Sequence, residues 1–190
     1  MAQTPSQMIE LGTQAPDFEL ADPDGRNYTR DEIAGKHGLL VIFMCNHCPF
    51  VKHVASELGK IGDEYQDLGI GIAGINSNDI QNYPEDAPPK MTEFAAHYGI
   101  TFPYLFDETQ EVAKAYKAAC TPDFFLFDAE LKLVYRGQLD DSRPKNDKPL
   151  NGKDLRAAMD ALIKGEPIPE EQKPSIGCDI KWKAGSKPDY

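Results

Sequence analysis

Nowhere in the 190 residues is there an apolar run approaching the roughly 18 residues that a membrane-spanning helix needs. No membrane span is expected. Met1 to Glu10 has neither a basic start nor an apolar core, so it does not read as a secretory signal, and a cytoplasmic setting is the expectation. Positive charge is in short supply. Lys and Arg number 20 against 31 Asp and Glu, for a formal net charge of −11. That speaks against nucleic acid or anionic membranes as partners, and its plainest meaning is solubility. Four cysteines are too few to staple a chain of this length. In a reducing compartment such thiols are usually catalytic or metal-binding. A second C-x-x-C and any H-x-x-x-H are missing, so no closed four-ligand zinc site can be assembled, and no metal or cofactor is assigned. Internal repeats and a second domain are absent as well.

What is present centres on Cys45-Asn46-His47-Cys48-Pro49. This C-x-x-C follows the apolar run Gly38 to Met44 and precedes a segment with helical spacing that opens at Pro49. A helix start has unpaired N–H groups and partial positive charge, and both favour a thiolate. Thiolate is the form that attacks a disulfide, so the placement predicts redox chemistry rather than packing.

Residues 39–44 read as a central strand covered on both faces, and 49–66 as the following helix with Pro49 in its first turn. Ile70 to Asn76 reads as a second buried strand, 77–89 as loop, and Pro89 to Tyr98 as a helix ending at Gly99. Phe102 to Asp107 is extended and Thr109 to Ala119 helical. Asp123 to Asp128 and Leu131 to Gly137 form a hairpin, and a last helix runs from about Asn151 to Lys164. Ahead of these, Asp17 to Leu20 and Arg26 to Thr29 flank the turn Asp22-Pro23-Asp24-Gly25, and Thr29 with Glu32 makes a capping box. The expected division is an N-terminal arm (1–11), one α/β domain (12–165) and a proline-containing tail (166–190) that wraps the surface, anchored by Ile176, Ile180 and Trp182. Parallel strands with crossover helices, and an antiparallel hairpin at the edge, make a mixed sheet flanked by helices.

This order, with the dithiol between a core strand and its helix, resembles the thioredoxin superfamily. Gly12-Thr13-Gln14-Ala15-Pro16-Asp17-Phe18-Glu19-Leu20 is similar to the opening of its redoxin (AhpC/TSA) branch. The C-N-H-C-P motif, Thr121 to Asp128, Tyr135 to Asp141 and Pro174 to Cys178 resemble a peroxiredoxin-like subgroup of that branch. The resemblance spans residues 10–183. It implies a thioredoxin-like fold and thiol–disulfide oxidoreduction. The partners would be protein or small disulfides and an external thiol reductant, with the chain a monomer or homodimer.

The resemblance also implies roles. Cys45 would be the nucleophile, exposed at the helix start, and Cys48 the resolving thiol. His47 would support a thiolate and make the disulfide more oxidising, although Asn46 stands where oxidases of the superfamily have proline. Pro122 would be cis, with Thr121 offering its backbone to an extended substrate. Leu39 stands where thioredoxins keep a buried acid, so another acid or water must serve. Asp140 and Asp141 are auxiliary candidates, or simply an acidic turn. Cys120 would point into the core. Cys178 is either an apolar anchor or a third redox thiol reached by tail movement.

Two rivals remain. A thiol peroxidase would carry P-x-x-x-T-x-x-C, but Val41 and Cys45 replace its proline and threonine, leaving Arg136 as one match. A non-enzymatic metal-binding or delivery protein would use Cys45, Cys48, His47 and His53.

Overall fold

Strand formation is densest where the apolar run predicts it. In the structure, a computed structural model describing residues 3–190, the elements follow in this order. First come β1 (Gln3–Pro5), β2 (Glu19–Ala21), β3 (Asn27–Thr29), α1 (Arg30–Ile33) and β4 (Gly38–Phe43). Then come α2 (Pro49–Asp67), β5 (Ile70–Asn76), a 3-10 turn (Pro84–Asp86), α3 (Pro88–Tyr98), β6 (Tyr104–Phe106) and α4 (Glu111–Ala115). The chain closes with β7 (Cys120–Thr121), β8 (Asp123–Asp128), β9 (Leu133–Gly137), α5 (Lys153–Lys164) and β10 (Ile176–Asp179).

Seven strands make the main sheet in the order β3-β2-β6-β5-β4-β8-β9. β4 is parallel to β5, from Gly38↔Ile70 to Phe43↔Ile75, and antiparallel to β8. Every residue of β4 is buried, as expected of a strand with helices over both faces. Its alternation divides the core. Leu40, Ile42 and Met44 pack with Val51 and Leu58 of α2, Phe94 of α3 and Met159 of α5. Leu39, Val41 and Phe43 pack on the other face with Phe18, Tyr116 and Phe125. The fold is thioredoxin-like, and the β8–β9 hairpin, the β2–β3 hairpin and the Thr29–Glu32 capping box all form as predicted.

Three differences have physical causes. α4 is shorter than its predicted span, because Lys117 turns into the left-handed region at φ 53° while Tyr116 dives into the core and donates to the Pro16 carbonyl. The segment read as loop holds the 3-10 turn, with Pro84 at its start. From Gln3 on, the N-terminal arm and the tail both contribute strands. β1, β10 and β7 form a separate antiparallel sheet, pairing Gln3 with Cys178 and Cys178 with Thr121. Ile180 is buried and Trp182 packs on the core, while Ile176 stays partly exposed.

Candidate active site

β4 ends at Phe43 and α2 opens at Pro49, so residues 44–48 turn the dithiol across the end of the sheet. Met44 extends the strand by donating to the Ile75 carbonyl at 2.9 Å. Cys48 occupies the N-cap position of the 19-residue α2, and a helix of that length presents its positive end there. The Thr121-Pro122 peptide is cis. It brings Thr121 Oγ1 within 3.6 Å of Cys45 Sγ and the Thr121 carbonyl within 3.3 Å of Cys48 Sγ.

The expected exposure of Cys45 is not found. Cys45 is 1% exposed and Cys48 0%. Position at a helix start does not fix accessibility here, because Thr121, β10 and the 3-10 turn close over the pair. The two thiols are also unequal. Burial pushes Cys45 up, and its bond to Cys48 and the nearby Asp86 charge add to this. Hydrogen bonding with Cys178 and Cys45 brings Cys48 down to about 2, with the Val51 amide contributing. The two shifts run in opposite directions, Cys48 toward the thiolate and Cys45 toward the thiol.

Asp86 is the residue that sequence reasoning missed. It is wholly buried, and its Oδ1 accepts from the backbone N–H of Asn46 at 2.8 Å and of His47 at 3.2 Å. Its Oδ2 meets His47 Nδ1 at 2.5 Å and accepts from Asn78 Nδ2 at 2.9 Å. Asn46 is held in turn by the Glu85 carbonyl and the Tyr104 hydroxyl. One carboxylate thus fixes the whole x-x of the C-x-x-C. The bond to Asp86 raises the His47 pKa. Burial acts to raise the Asp86 carboxyl, but the bonds from His47 and Asn78 outweigh it and hold it below its ordinary value. His47 also stacks on Tyr83, with ring centroids 5.4 Å apart and planes 12° from parallel. The available signal was an acid hemmed by Pro84, Pro88 and Pro89, in a segment read only as loop.

Other predicted residues lie elsewhere. Asp140 is buried at the start of α5, accepting from the Ser142, Asn151 and Gly152 amides at 2.8, 2.8 and 2.7 Å. Asp141 bridges Lys153 and Lys173. Both acids therefore serve the β9–α5 connection and not the thiols. Arg136 binds the Ile9 carbonyl and Gln172 Oε1, tying arm to tail. The guanidinium of the one peroxidase-like match is therefore engaged by the arm and the tail. His53 pairs with Ser142 Oγ at 3.0 Å. Among the described residues, the ligand atoms that cluster within 4.8 Å of one another are those of Cys45, His47 and Asp86. That set shares Cys45 and His47 with the metal-binding rival and has Asp86 in place of Cys48 and His53. Cys120 is buried with its Sγ directed to the Pro122 carbonyl at 3.6 Å, and burial pushes its thiol up. Cys178 needs no tail movement to reach the dithiol: its Sγ lies 2.7 Å from Cys48 Sγ.

Comparison with known proteins bears on the family and the fold. The model of the AhpC/TSA family matches residues 11–136. A thiol-disulfide oxidoreductase ResA of Geobacillus thermodenitrificans is 28% identical over 132 residues, covering 68% of this chain and 70% of that protein. An uncharacterized conserved protein from Geobacillus kaustophilus has a crystal structure matching with TM-score 0.95 at 53% identity, over 98% of this chain and 99% of its own. A putative thiol:disulfide interchange protein DsbE from Chlorobium tepidum shares the fold at 17% identity, with TM-score 0.64, over 82% of this chain and 99% of its own.

Proposed function

The chain belongs to the AhpC/TSA family, and we propose that within it the protein works as a thiol–disulfide oxidoreductase through Cys45 and Cys48. The observation carrying this reading is the shared site. Two hydrogen-bonded thiols of opposite pKa shift lie at the start of α2, against the cis Thr121-Pro122 peptide.

Cys45 borders the part-exposed His47, whereas Cys48 is walled by Cys178 and Thr121. Cys45 is assigned the first attack, the role that the resemblance gives it. Cys45 gives up its proton, which the departing substrate sulfur takes up. The Cys45 thiolate then attacks a substrate disulfide and forms a mixed disulfide, releasing the first substrate thiol. Cys48, held toward the thiolate, attacks Cys45 Sγ. The second substrate thiol leaves, and a Cys45–Cys48 disulfide remains. Stabilisation of the Cys48 thiolate favours the reduced protein, so that disulfide is an oxidising one. The substrates are disulfides of proteins or small thiols, and an external thiol reductant closes the cycle. A reducing, cytoplasmic setting belongs to the same reading and sets the net direction as reduction.

Reduction of insulin disulfides tests it. Cys45→Ser should abolish turnover while the circular dichroism stays that of the wild type, and a folded variant that still turns over would sink the assignment. Cys48→Ser should accumulate mixed disulfides through Cys45, whose partners identify the substrates.

A further inference from the structure

Cys178 is placed by more than chance packing. Its Sγ is 2.7 Å from Cys48 Sγ, against a disulfide bond length of about 2.0 Å. The Phe50 amide, in the first turn of α2, also faces it. The strand carrying it is held on both edges. Cys178 pairs with Thr121 on one side and Gln3 on the other. Ser175 Oγ donates to the Pro122 carbonyl at 2.6 Å, and Ser175 N–H donates to Ser6 Oγ at 3.0 Å. Gly177 lies so close that a Cβ there would stand 2.0 Å from the Thr121 carbonyl oxygen.

The edge of β7 next to the cis-proline is therefore occupied by the chain's own antiparallel strand, and that strand brings a cysteine to the dithiol. This is how a disulfide substrate would lie if it docked by strand addition.

We propose that Cys178 is a third catalytic thiol, forming with Cys48 a disulfide that replaces Cys45–Cys48. The step rests on the dithiol reading above. After a substrate has been reduced, the Cys178 thiolate attacks Cys48 Sγ of the Cys45–Cys48 disulfide. The Cys48–Cys178 bond forms as the Cys45–Cys48 bond breaks. Cys45 leaves as a thiolate and takes up the proton that Cys178 gave up. No electron enters or leaves the protein, so no further oxidant is needed. The product has Cys45 free as a thiol and β10 bonded across the cis-proline edge, which shuts that edge to substrate strands until an external thiol reduces Cys48–Cys178.

Peptide mapping distinguishes the states. The full-length protein is oxidised with diamide, its remaining thiols are alkylated, and it is digested with trypsin without reduction. Cys45 and Cys48 share the fragment 37–52, Cys178 lies in 165–181 and Cys120 in 118–132. A Cys45–Cys48 bond stays inside one fragment, whereas a Cys48–Cys178 bond joins two. The wild type should yield the joined pair, assigned to Cys48 by fragmentation. Cys45→Ser should yield it as the main disulfide, and Cys48→Ser should lose it. An internal 37–52 disulfide in the wild type, with no joined pair there or in Cys45→Ser, would overturn the proposal and leave the dithiol reading standing. A joined pair that persists in Cys48→Ser would also overturn it. The absence of both bonds would overturn the two readings together. If Cys45→Ser does not fold, the wild-type map decides alone.

Discussion

His47 Nδ1 and Asp86 Oδ2 stand 2.5 Å apart, the carboxylate fully out of solvent and the ring largely so. The Asp86 value is depressed, so its contribution to stability is present above about pH 3.9 and fades as pH falls through the folded value. The His47 value is raised, so its contribution is present below about pH 6.5 and fades as pH rises through the folded value. The pair is strongest between these limits. In Asp86→Asn, one amide oxygen can still serve the two backbone donors, but its NH2 would face Asn78 Nδ2 and the ring. A loss of about 3 kcal/mol is expected in urea unfolding near pH 5, shrinking toward pH 9. A difference that does not change with pH would show that the pair is not ionic.

Cys48 should remain a thiolate in the reduced protein well below the ordinary thiol range. A depressed thiol contributes stability fully present above its unfolded value of about 8.5 and lost as pH falls through the folded value. Ultraviolet titration of reduced protein should show one thiolate persisting through mildly acidic pH, and Cys48→Ser should remove it. A titration in the ordinary range, unchanged in that variant, would contradict the assignment of charge to Cys48.

Gly177→Ala should pry β10 from β7. The clash is with backbone, which cannot rotate away, so a cost of about 1–3 kcal/mol is expected. Opening of the strand would become about tenfold more frequent or greater. Amide exchange at 176–179 and alkylation of Cys45 should both accelerate by that factor. Unchanged protection at both would show that β10 is not what covers the site.

Asp140→Ala should leave three amides unsatisfied ahead of α5 and cost about 3 kcal/mol. Disulfide exchange per folded molecule should be unchanged. Hydrogen bonds hold this carboxyl below its ordinary value against the opposing effect of burial. The wild type should therefore lose stability as pH falls through that depressed value, and the variant should not show that component. A fall in exchange rate by the folded variant would return Asp140 to the site.

The parts that were legible in the sequence are those whose signal is local. β4 is a continuous apolar run, α2 has its Pro49 start, and the dithiol lies between them by covalent succession. The hairpins carry turn residues at fixed offsets. The rest depends on contacts between distant segments. β10 is only four residues long, too short for a period to show, and it is a strand because β1 and β7 flank it. Asp86 reaches the dithiol from about 40 residues away, and nothing nearby in the chain marks it as a hydrogen-bond acceptor for Asn46. Cys45 is buried by residues that the C-x-x-C motif does not contain. The same motif therefore supports either an open or a covered thiol.

Cys48 and Cys178 are 130 positions apart along the chain. Synthesis proceeds from the N-terminal end, so a ribosome delivers the dithiol, and later the cis-proline edge, well before the strand that seals them. Without β10, Thr121 would lie on an open strand edge, the kind that pairs with extended chains. A chain lacking Cys178 and the strand around it would leave the Thr121 edge uncovered on that side.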